Sequence, residues 1–176
     1  MKDFNLKEYL FIGRFQPFHL GHLEVIKEIL PQTKQLILGL GSTNQMISLH
    51  NPFSYRERKI LLKHTLSRHL SAKNLKKIKL VPIPDTKSDL QRKNFIQKRH
   101  PKHLIVTGNS RVRDIFVDRV LWVPQRFKNI SATQIRELFL RWDFDKALRY
   151  LPKWLDKFLP FFRSRFDRLK SLQKGI

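Results

Sequence analysis

Five short apolar runs, each followed by a stretch with helical spacing, constrain this chain's fold more than any other feature. Tyr9–Ile12, Gln35–Leu40, Ile78–Pro82, Leu104–Thr107 and Val120–Val123 read as strands, the last stopped by Pro124. Leu23–Leu30, closed by Pro31, has helical spacing. The capping box Ser54-Tyr55-Arg56-Glu57 opens a helix running to about Leu70. Leu90–Arg99 and the short Val112–Phe116 are helical too. A second capping box, Ser131-Ala132-Thr133-Gln134, opens a helix to about Leu140. The strands are continuous apolar runs, as strands covered on both faces must be. No Asn-Gly or Asp-Gly hairpin joins them. The expectation is an α/β fold: a parallel five-stranded sheet with helices on both faces.

The last quarter breaks this alternation. From Asp143 onward no strand is legible, and Pro152 and Pro160 punctuate a helical tail. Trp154, Phe158, Phe162 and Phe166 recur at four-residue spacing, with Lys153, Lys157, Arg163, Arg165, Arg168, Lys170 and Lys174 between them. The reading is one domain over residues 1–150, with residues 151–176 as a basic amphipathic helical tail packed on it. The whole chain is basic: 36 Lys+Arg against 14 Asp+Glu, a formal charge of +22. Such a surface attracts polyanions, whether nucleotides, nucleic acid or acidic membrane. The absence of cysteine excludes disulfides, thiolate catalysis and Cys-based zinc sites. Met1–Glu8 holds no apolar core of signal-peptide length. No apolar run approaches the ~20 residues that span a bilayer. A cytoplasmic protein without a transmembrane segment is expected.

Chemistry concentrates at the turn from the first strand into the first helix, Gly13-Arg14-Phe15-Gln16-Pro17-Phe18-His19-Leu20-Gly21-His22. In an open parallel sheet that turn lies at the carboxyl ends of the strands, where ligands bind. A helix N-terminus there offers free N–H groups to phosphate. Gly21 lets an anion approach the backbone. His19 and His22, three apart, share one helix face, and with Arg14 they could grip a polyphosphate. Half a metal site or a capping cluster is the plainer alternative for the pair. A second motif is Ile130-Ser131-Ala132-Thr133-Gln134-Ile135-Arg136. Ser131 caps, Thr133 lies in the first turn, and Arg136 could aim a planar fork at phosphate oxygens. An ordinary capping box with a surface arginine accounts for it as well. The third glycine of a dinucleotide fingerprint after Gly39-Leu40-Gly41, a P-loop and a Gly-x-Ser-x-Gly elbow are all missing.

Taken in order along the chain, these motifs resemble the nucleotidyltransferase superfamily with the His-x-Gly-His and Ile-Ser-x-Thr-x-x-Arg signatures. More closely, they resemble archaeal-type nicotinamide-nucleotide adenylyltransferases. The resemblance runs from about Leu10 to Tyr150. It includes Gly13–His22, Gly39–Ser42, Asn51-Pro52-Phe53, Glu57-Arg58, Pro84-Asp85, Thr107–Ser110 and Ile130–Arg136. It implies a Rossmann-like fold and adenylyl transfer from ATP to nicotinamide mononucleotide (NMN), giving NAD and pyrophosphate. In that reading Arg14, His19, His22 and Arg136 are catalytic and contact the ATP phosphates. Gly13, Phe15, Gly21, Gly108, Asn109, Ser131 and Thr133 bind ATP, while Gly41, Ser42, His50 and Asp85 bind the acceptor. It further implies Mg²⁺ arriving with ATP, no metal ligands from the protein, and a homo-oligomer. A histidine beside so much negative charge should gain a proton.

Two departures fall on the acceptor side. The tryptophan that archaeal-type members place after Pro-Asp is absent from Thr86–Asn94, and Phe95 is the nearest aromatic residue. His50 stands where those members tend to carry Lys or Arg. Nicotinate mononucleotide and phosphopantetheine are therefore alternative acceptors. A non-catalytic basic nucleic-acid binder is the alternative from another class.

Overall fold

A computed structural model describes residues 7–123 and 130–174 of the chain. Pro124 and the segment before Lys7 lie outside them. Five strands form one sheet: β1 Lys7–Gly13, β2 Thr33–Leu40, β3 Ile78–Pro82, β4 Leu104–Thr107 and β5 Val120–Trp122. The order is β3-β2-β1-β4-β5, and all pairs are parallel. All five expected strands are present.

The helices are α1 Leu20–Ile29, α2 Tyr55–His69, α3 Ala72–Leu75, α4 Asp89–Arg99, α5 Ser110–Ile115, α6 Ala132–Leu140, α7 Phe144–Leu148 and α8 Leu159–Lys174. They cover both sheet faces because successive strand residues point to opposite sides. Tyr9 and Phe11 pack with Leu23 and Ile26 of α1 and Leu62 and Leu66 of α2. Leu10 faces the other way, onto Ile96 of α4 and Phe116 behind α5. From central β1 the chain steps outward to β2, and β4 pairs on its other edge. That reversal opens a crevice at the carboxyl ends of β1 and β4.

A third cluster sits beside the sheet. Phe53, from the loop between β2 and α2, packs on Phe161, Phe162 and Phe166, and Phe139 and Phe144 belong to the same cluster. The tail enters through a 3₁₀ segment, Lys153–Phe158, and becomes α8. Pro160 falls in the first turn of α8, where its missing N–H costs nothing, so it starts a helix instead of punctuating one. Phe162 and Phe166 are buried, while Trp154 and Phe158 are half-buried against α2, around His64.

Candidate active site

β1 ends at Gly13, and the chain turns sharply through the signature segment. Phe15 adopts φ 52°, a left-handed conformation that costs a bulky residue energy. A Cβ on Gly13 would stand 2.9 Å from the Phe15 ring. Glycine here therefore lets that ring fold into the core. Gly21 has a similar duty, since a Cβ there would press on the His19 ring at 3.1 Å.

α1 begins at Leu20, three residues before the apolar periodicity indicates. His19 is thus its N-cap and His22 its third residue. The two rings stack with centroids 3.7 Å apart. The backbone N–H of His19 donates to Nδ1 of His22 at 3.3 Å. A neutral His22 therefore carries its proton on Nε2. Burial holds the His19 imidazole down at about 4. Burial, and then His19 beside it, pushes His22 well below the usual range. The protein's own surroundings keep both rings neutral. A proton would have to be drawn in by the charge of a bound anion.

These residues wall a cavity of about 330 Å³ in the β1–β4 crevice. Gly13, Arg14, Phe15, His19, Gly21 and His22 line one side. Gly108 and Asn109, after β4, line another, and Ser131 and Thr133 close it from the start of α6. Ser131 caps α6 as expected: its hydroxyl accepts from Gln134 N–H at 3.2 Å, and Gln134 Oε1 accepts from Ser131 N–H at 2.8 Å. Glu24, Val25 and Glu28 of α1 also reach the cavity. Their signal was faint, because acidic residues on an ordinary helix do not advertise a nucleotide site.

Arg136 does not line this cavity. It is buried, donating to the Gln16 carbonyl at 2.8 Å and to Thr133 Oγ1 at 3.0 Å. Burial, then nearby Arg14, lowers its guanidinium to about 10. In this geometry it braces the first loop against the start of α6. Gln16 is the partner that motif reading overlooked. Only 1% exposed, it donates to Asn51 Oδ1 at 3.2 Å and accepts from Phe53 N–H at 2.9 Å. Its place inside the signature was the available clue.

The residues assigned to the acceptor lie elsewhere, past the ends of β2 and β3. Gly41 N–H donates to the Gly13 carbonyl at 2.8 Å. Ser42 is buried with φ 55°. The Asn44 side chain grips the Asp85 backbone in both directions, at 2.8 and 3.1 Å. Arg92 approaches the Asp85 carboxylate at 3.7 Å. His50 is exposed. Phe95 is half-buried against the core cluster of Leu10, Ile37, Ile83 and Ile96, and the Arg99 guanidinium lies 4.1 Å from its ring.

The cytidylyltransferase-like family model matches residues 10–138. The chain belongs to the cytidylyltransferase-like family. Among its relatives is the nicotinamide-nucleotide adenylyltransferase of Thermococcus onnurineus, 33% identical over 175 residues, covering 97% of this chain and 90% of that one. The enzyme of the same name from Thermoplasma acidophilum is 36% identical over 136 residues, 74% of each chain. A similar solved structure is the bifunctional NMN adenylyltransferase/ADP ribose pyrophosphatase of Francisella tularensis, complexed with AMP and a manganese ion. It is 26% identical with a TM-score of 0.77; the match covers 97% of this chain and 53% of that one, so the chain spans about half that protein's length. With these relatives, the cytidylyltransferase-like chain is a nucleotidyltransferase.

Proposed function

We propose that the protein transfers the adenylyl group of ATP to NMN, forming NAD and releasing pyrophosphate. The convergence of Arg14, His19 and His22 with the start of α6 around one cavity carries this reading. The near full-length kinship with nicotinamide-nucleotide adenylyltransferases supports NMN as the acceptor.

In the proposed reaction an oxygen of the acceptor's 5′-phosphate attacks the α-phosphorus of ATP in line. The bond from that phosphorus to the α,β-bridging oxygen breaks, and pyrophosphate leaves with the electron pair. No covalent enzyme intermediate is needed. The protein contributes position and charge neutralisation. Arg14 brings a fixed positive charge to the cavity wall. The stacked imidazoles bring N–H donors, and the first turn of α6 brings backbone N–H groups and the Thr133 hydroxyl. Among the described residues no group of three acidic or histidine side chains could hold a metal ion. Mg²⁺ is proposed to arrive as part of the substrate, where it would neutralise triphosphate charge.

The test is incubation with Mg-ATP and separate acceptors: NMN, nicotinate mononucleotide and phosphopantetheine. Pyrophosphate release with NAD formation should be fastest with NMN. Preference for another acceptor would replace NMN, and no turnover with any would refute the transferase role.

We further propose a cytoplasmic homo-oligomer; light scattering of the purified protein tests the assembly. The +22 charge supports additional non-specific binding of polyanions. Salt-sensitive retention on heparin is the expected sign. Among the described residues no helix is long and apolar enough to cross a membrane.

A further inference from the structure

Arg58 is 1% exposed and lies in the first turns of α2, outside the cavity. Arginines are rarely buried so fully, and here the hydrogen-bond partners are backbone carbonyls. Its Nη1 donates to the Arg14 carbonyl at 2.6 Å and to the Gly41 carbonyl at 2.7 Å. Its Nη2 reaches the Ser42 carbonyl at 3.4 Å, and Nε reaches Ser54 at 3.4 Å. One guanidinium thus joins the loop after β1 to the loop after β2.

The bonded carbonyls are not arbitrary. Phe15 and Ser42 hold left-handed backbone, at φ 52° and 55°. Arg14 and Gly41 are the residues immediately before them. Arg58 therefore grips the peptide leading into each strained residue. Such conformations persist only where the surroundings over-determine them. Arg58 is itself held from behind. Its neighbour Glu57 accepts from Ser54 N–H at 2.8 Å, and its other carboxylate oxygen pairs with Arg165 of α8.

We propose that Arg58 is the positioning residue that fixes the spacing between the ATP and acceptor subsites, braced by Arg165 through Glu57. The proposal rests on the transferase reading above, in which Arg14 serves ATP and Ser42 serves the acceptor. In-line transfer needs the attacking oxygen about 3–3.5 Å from phosphorus, and a shift of about 1 Å can cost 10²-fold. A clamp between two strand-end loops governs that distance without touching either nucleotide. A lysine keeps the charge but lacks the planar fork that reaches several carbonyls at once.

The test measures steady-state kinetics with Mg-ATP and NMN for wild type, Arg58→Lys and Arg165→Gln, alongside melting curves. Arg58→Lys should lower kcat by about thirtyfold or more while leaving both KM values within about threefold, the pattern of lost alignment. Arg165→Gln should lower kcat about threefold, again with KM unchanged. Wild-type kcat in a cooperatively folded Arg58→Lys protein, or a loss confined to KM, would overturn the proposal. If Arg58→Lys does not fold, Arg165→Gln decides: reduced kcat at constant KM supports the clamp, and wild-type kcat overturns it. A wild-type protein that forms no dinucleotide overturns the transferase reading, and this inference with it. An active wild type with an equally active Arg58→Lys overturns the inference alone.

Discussion

On the β4 side of the sheet, every residue assigned to ATP except Arg136 walls one cavity. On the β2–β3 side, Gly41, Ser42, His50 and Asp85 are spread over loops, and Met46 between them is 87% exposed. The first half is made from the ends of strands and helices. Its backbone N–H groups and capping residues are placed by the fold, and they suit any triphosphate. The second half is made from connections held by a few side-chain bonds, such as Asn44 to Asp85. Loops of that kind are where partners are chosen. On the proposed function, reaction class is written into element ends, and acceptor choice into loop chemistry.

The strongest way to break this contrast is to remove the stacked imidazoles. His19→Ala and His22→Ala should each lower turnover by about 10²–10³-fold, the usual cost of losing one oriented donor. Each should still melt cooperatively, with a lower melting temperature for His22→Ala, whose ring also packs on Phe11, Phe15 and Phe18. Full turnover in either variant would move the chemistry away from this wall. Arg136→Ala should act next most strongly, and differently. It leaves the Gln16 carbonyl and Thr133 hydroxyl without their donor. The KM for ATP should rise about tenfold, with a lowered melting temperature from the unpaired buried groups. Unchanged stability would mean that the guanidinium is not the brace described.

The strands, their order of appearance and both capping boxes were legible because period and cap chemistry are local properties. Ser131 and Gln134 pair as their spacing requires. The tail's aromatic repeat was legible as an apolar stripe, but its target was not. Nothing local in Asn51-Pro52-Phe53 says that Phe53 will lie against Phe162 and Phe166, more than a hundred residues on. Arg136 illustrates the same limit within the site. Its motif placed it near phosphate, and only the fold shows its nitrogens taken by Gln16 and Thr133. Gln16 and Arg58 act largely on backbone groups, which carry no residue signature, so a motif can contain them without showing their use.

The acceptor half should respond more mildly. Asn44→Ala frees the Asp85 turn from the β2–α2 loop while leaving the cavity wall intact. The KM for NMN should rise about three- to fivefold, on the scale of one or two ordinary hydrogen bonds, and the KM for ATP should not move. Equal effects on both substrates would erase the division between the halves.

The smallest effect is the most discriminating between donor and acceptor. Burial lowers the titration of His19 to about 4 and that of His22 well below its usual value. His69, His100 and His103 are also lowered, by burial first in each case. The folded chain keeps these bases neutral, while the unfolded chain takes up protons near pH 6.5. Between pH 6.5 and about 4 the unfolded state therefore binds more protons, so stability falls as pH falls through that window. Above it these groups contribute no slope. The melting temperature should drop by about 3–6 °C from pH 7 to pH 5. Saturating Mg-ATP should flatten that decline, because triphosphate charge favours protonated imidazoles at His19 and His22. Saturating NMN alone should not, since its subsite holds neither ring. A decline equally steep with and without ATP would separate the histidine pair from the triphosphate, and the donor wall would lose its chemical meaning.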